Sequence, residues 1–143
     1  MEAQRLLVVM LRFGAVVTGS AFLTLPLSVD SMAAVHHWLG LGEMPRAPIV
    51  EYLARSVSAF YGLHGVLLFM LSTDVERYAR LIAMIAVTTV LFGLILLAVD
   101  IHAGLPAYWT IGEGPPVVLI GVVLLTLNRS ASRQREDVVV HRL

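Results

Sequence analysis

The chain has 143 residues, 58% of them hydrophobic, with a mean hydropathy of +0.84. These values lie outside the range of soluble domains and indicate a membrane protein. Ten cations, all arginine, balance ten acids, so no net charge draws the chain towards nucleic acid or an acidic surface. The absence of cysteine excludes disulfides, thiolate metal sites and cysteine nucleophiles. Redox chemistry would need a bound cofactor, and the sequence implies none.

An apolar run of about 20 residues crosses a hydrocarbon core roughly 30 Å thick. Four segments approach that length: 6–27, 50–71, 81–99 and 116–127. The first is read as a span and not as a signal peptide, because Arg12 interrupts its apolar run and no clean cleavage signal follows. The fourth is only about 18 Å long at roughly 1.5 Å per residue. AYWTIGEGP must extend it, which puts Tyr108 and Trp109 at the interface and draws Glu113 below the surface. The expected fold is all-α: a four-helix transmembrane domain over 1–128 in an up-and-down bundle, followed by a polar tail over 129–143.

The outer loop SVDSMAAVHHWLGLG carries Asp30 as an N-cap, Met32, Val35 and Leu39 at helical spacing, and Gly40 and Gly42 as stops. It predicts a short helix lying in the interface, from which His36 and His37 point in different directions. On the long helices Ala15 and Gly19, and Ala54, Ser58 and Gly62, recur every fourth residue, a spacing that lets helices approach closely in lipid.

Orientation follows the arginines near helix ends. Arg5 precedes the first span, Arg77 and Arg80 lie in the STDVERYAR turn, and Arg129, Arg133, Arg135 and Arg142 follow the fourth. Both termini are therefore expected in the cytoplasm of a plasma (inner) membrane protein. Arg12 has an ordinary explanation in snorkelling to the headgroups.

Counted from the inner end of each helix at about 1.5 Å per residue, Arg55, Glu113 and Asp100 lie roughly 25, 21 and 28 Å up. Ionisable side chains at such depth face a bundle interior and pair. Arg55 is thus the expected partner of Asp100, Glu113 or both, with Glu51 one turn away as a further candidate. Gly112 and Gly114 flank Glu113, and Pro115 and Pro116 suit the first turn of a helix, whose positive end would stabilise the carboxylate. The cluster either locks three helices together or lines a polar cavity.

His64 and Arg12 form a deeper polar pair, with Thr88 and Thr89 at nearly the same height. His64 suits an interhelical hydrogen bond, a proton relay or haem ligation, although no second histidine lies at a matching depth. His36, His37 and His102 are weak metal candidates with no diagnostic spacing. No hydrolase, metalloprotease, P-loop or dinucleotide fingerprint is present.

The segments VEYLARSVSAFYGLHG, STDVERYARLI and DIHAGLPAYWTIGEGPP resemble small bacterial four-helix membrane proteins of the domain-of-unknown-function type, and the chain is similar in scale to DoxX-like proteins. The resemblance covers the second to fourth helices and implies a fold and a bacterial inner membrane, but no activity. The expected role is a binding or accessory protein that uses the outer polar layer, with lipid and either another membrane protein or a second copy as partner. A small transporter would need a polar path from that layer to His64. A membrane enzyme would need an outer cleft presenting Glu113 or His102, and a metal- or haem-binding subunit would need converging ligands.

Overall fold

The computed structural model describes residues 2–140, with side chains to Gln134. No strand occurs among them, and the order of elements is α1 (Glu2–Gly19), a 3-10 helix (Ser20–Thr24), α2 (Val29–Trp38), α3 (Pro48–Thr73), α4 (Ala79–Ala103) and α5 (Ala107–Val140). Four stretches are long and apolar enough to cross a membrane: Glu2–Thr24, Pro48–Thr73, Ala79–Ala103 and Ala107–Gln134. Their outward faces carry large apolar groups such as Leu23, Val16 and Phe60, each more than 70% exposed. Water would not tolerate such a surface, whereas lipid favours it, and the chain is a multi-pass membrane protein.

Each boundary has a local cause. The first span leaves α-geometry at Gly19 because Ser20 and Thr24 turn their hydroxyls back on the carbonyls of Val17 and Ala21, both at 2.7 Å, and Pro26 follows. α2 is capped by Ser28 and not by Asp30: extended Ser28 accepts the Ser31 N–H at 3.2 Å, while Asp30 sits in the first turn. Gly40 and Gly42 adopt positive φ of 73° and 84° after its end, as stops require. α4 ends at Gly104, whose φ of 69° lets it close on Asp100 and Ile101.

α5 differs from expectation at both ends. It starts at Ala107, so Pro115 and Pro116 lie inside the helix and Glu113 is its seventh residue, beyond the first turn. At the other end it runs on to Val140, taking in residues 129–140 of the expected tail; Arg142 lies outside the described residues. The run SASRQRED contains no proline or glycine, so nothing in it stops a helix already under way.

The chain divides into two compact units, one of residues 12–70 and the other of residues up to 11 with 71 onward. In the first, α3 meets the end of α1 through glycine: a Cβ on Gly65 would lie 2.5 Å from the Gly19 nitrogen and 2.8 Å from the Ala15 carbonyl oxygen. Gly62 leaves room for the Phe22 ring. The small residues Ala15, Gly19 and Gly62 thus sit at contacts, with Gly65 supplying the closest approach to backbone.

In the second unit α4 and α5 form a tight hairpin. A Cβ on Gly93 would come within 2.7 Å of the Val118 nitrogen, one on Gly114 within 2.9 Å of the Leu97 Cβ, and one on Gly121 within 2.8 Å of the Ala86 carbonyl oxygen and the Val90 nitrogen. Leu7, Leu11, Leu71 and Ile82 are its most fully buried large side chains. The Asn128 amide donates to the Ala79 carbonyl at 2.9 Å and ties α5 to the start of α4.

Candidate functional site

The unit of residues 12–70 places Arg55 on the second turn of α3. Its guanidinium donates to Glu51 at 3.0 and 2.8 Å, to the Leu27 carbonyl at 3.0 Å and to the Leu25 carbonyl. Those carbonyls follow the 3-10 helix, flank Pro26 and lie where helical donors have run out. A planar fork suits several acceptors at once. Within this unit the carboxylate that Arg55 holds is Glu51, four residues back on its own helix and already a candidate partner from the sequence. Sequence depth missed the Leu25 and Leu27 carbonyls because it counted charges and not the orphaned acceptors at the end of a span, for which Pro26 was the available signal.

In the same unit His36 Nδ1 lies 3.1 Å from the Gly42 carbonyl oxygen and clips the loop after α2, while His37 is exposed. Asp30 and Arg46 form an exposed pair at 2.8 Å, of small energetic consequence. His64 is half-buried on α3 without a hydrogen bond among the described residues, and Arg12 is exposed on α1.

The hairpin of α4 and α5 carries the two acids. Trp109 donates its indole N–H to Glu113 Oε2 at 2.6 Å, across one turn of α5. Asp100, in the last turn of α4, is only 3% exposed, and its Oδ2 is buried without a hydrogen-bond partner. His102, two residues further on, is exposed. Thr88 and Thr89, lower on α4, spend their hydroxyls on the Ile85 carbonyl at 3.0 and 2.8 Å. Among the described residues no three His, Cys, Asp or Glu side chains converge as a metal site would require.

The burial of Asp100 follows from helix register. On α4 the residues facing α5 are Ala86, Val90, Gly93 and Leu97, and on α5 they meet Gly121, Val118 and Gly114. A step of three continues the α4 stripe to Asp100, whereas on α5 the buried stripe stops at Gly114 and Ile111 is 67% exposed. Asp100 thus falls on the buried seam, where a leucine or glycine would be expected. A buried carboxylate oxygen without a partner is costly. Comparison with family models, curated proteins and solved structures found no match.

Proposed function

We propose that the chain is a binding or accessory protein of a bacterial inner membrane, of the small four-helix kind its sequence resembles, with its binding site at the Asp100 end of the α4–α5 hairpin. The observation that carries this reading is the buried, unpartnered Asp100 Oδ2. Glu113, oriented by Trp109, supplies a second carboxylate to the same hairpin. Arg55 and Glu51 serve as a structural clamp on the end of the first span. Partners of this reading are the lipid bilayer and either another membrane protein or a second copy. Orientation rests on the arginines: both termini and the α3–α4 turn in the cytoplasm, an up-and-down course, and α2 in the outer interface, where its exposed Trp38 suits the headgroup layer.

Two measurements test this. Reporter fusions after Arg80 and after Arg135 are expected to show cytoplasmic activity; an external signal from either reverses the orientation. Asp100→Val is expected to leave the purified protein as stable as the parent or more so, by about 1–3 kcal/mol, because it removes an unsatisfied buried acceptor. The same variant is expected to lose whatever the parent retains when extracted from membranes. A loss of about 3 kcal/mol would instead identify Asp100 as one half of a structural pair.

A further inference from the structure

We infer that the cavity between the start of α1 and the far part of α5 binds the headgroup of an amino-phospholipid, with its phosphate on Arg5 and its primary ammonium group on Glu2. This goes beyond the reading at Asp100 and does not depend on it.

Glu2, Ala3, Arg5, Leu6, Val9 and Gln134 line one open cavity of about 670 Å³. All six belong to the same compact unit, in which Gln4 also donates to Glu76 of the α3–α4 turn at 3.3 Å. The height of the cavity follows from the sequence. On α1 the apolar run LLVVML starts directly after Arg5, and on α5 the apolar run ends before Arg129, five residues short of Gln134. The cavity therefore straddles the edge of the hydrocarbon, with Glu2, Arg5 and Gln134 in the headgroup layer and Leu6 and Val9 below it.

The lining divides into a charged rim and an apolar wall. Leu6 and Val9 are 50% and 59% exposed, and in a bilayer such side chains lie against acyl chains as apolar as themselves. Glu2 and Arg5 are also exposed, and neither has an ion pair or hydrogen bond among the described residues. Three residues apart on one helix, they share a face with their Cβ atoms about 5–6 Å from each other. A phosphate and an ammonium group joined by two carbons bridge a gap of that order, so one headgroup meets both charges. The Gln134 amide adds a donor and an acceptor at the rim. This lining discriminates among headgroups. A singly anionic headgroup leaves Glu2 facing like charge, and a trimethylated ammonium offers its carboxylate no N–H. A primary ammonium satisfies both residues, and the apolar wall makes the occupant a lipid.

The test is native mass spectrometry of the full chain in detergent with phosphatidylethanolamine, phosphatidylcholine or phosphatidylglycerol of identical acyl chains. The expected result is one retained phosphatidylethanolamine per chain, bound about tenfold more tightly than phosphatidylcholine. Arg5→Gln is expected to weaken that binding about fivefold. Glu2→Gln is expected to erase the preference for phosphatidylethanolamine over phosphatidylcholine. Ala3→Trp, which fills the cavity and leaves its charges alone, is expected to abolish retention. The control is Arg80→Gln, which removes the same charge from an exposed residue outside the cavity and is expected to change nothing. Equal retention of the three lipids overturns the inference, as does a preference for phosphatidylglycerol, which would show that overall charge governs binding. Equal losses from Arg5→Gln and Arg80→Gln overturn it too. Free phosphoethanolamine that competes as well as the lipid would show a soluble phosphate ester as the occupant and likewise overturn it. Helical circular dichroism is expected to be unchanged in every variant, and if one does not fold, the headgroup preference of the parent decides.

Discussion

Arg55→Leu is expected to destabilise the protein in detergent by about 3 kcal/mol, since it strands the Glu51 carboxylate and two backbone carbonyls at the end of the first span. The side chain is one third exposed, at 33%, which keeps the loss below that of a fully buried network. The interaction depends on the fork geometry: Arg55 reaches Glu51 through Nε and Nη2, and the carbonyls of Leu25 and Leu27 through Nη1 and Nη2. Arg55→Lys is therefore expected to recover less than half of the loss, because one ammonium cannot reproduce that spread of donors. Glu51→Gln is expected to cost under about 1 kcal/mol, since its amide oxygen still accepts and the carbonyl contacts remain. Equal, small effects from all three substitutions, measured by chemical or thermal unfolding, would show that the clamp is peripheral.

Gly65→Ala is expected to be comparably damaging, at about 2–3 kcal/mol, although it adds a single methyl group. That methyl would meet the Gly19 nitrogen at 2.5 Å and the Gly19 Cα at 2.7 Å. Backbone cannot rotate away as a side chain can, so α1 and α3 would have to separate along their length. The control is the residue on the other side of the same contact. A Cβ on Gly19 meets nothing within 4 Å, so Gly19→Ala is expected to be neutral or to stabilise slightly through helix propensity. If the two substitutions have equal effects on Tm, the close approach at Gly65 is not as described.

The spans were legible because hydropathy and length bear directly on the cost of crossing hydrocarbon, and the short helix after the first span was legible from its flanking glycines. The cap of that helix was misplaced by two residues: Ser28 and Asp30 are both good capping types, and only the backbone geometry chooses between them. The α4–α5 hairpin was hidden in plain composition. Gly93, seven residues after Ala86, and Gly121, seven after Gly114, form small-residue spacings on facing helices, but in apolar sequence such pairs are common and the partner stripe must be known for them to matter. The same applies to Asp100 and Arg55. Depth along a helix can be counted from sequence, whereas the direction a side chain faces around the axis needs the packing. Counting depth found Glu51 one turn from Arg55 but could not find the carbonyls that an interrupted helix leaves over.

α5 is one continuous helix of 34 residues, roughly 51 Å long at about 1.5 Å per residue, against a hydrocarbon core roughly 30 Å thick. A rod of that length exceeds the hydrocarbon thickness by roughly 20 Å. A tilt of about 10° at Pro115 would sweep Val140, roughly 37 Å further along, through roughly 6 Å. Any such tilt would thereby move the far end of α5 by more than the width of a side chain.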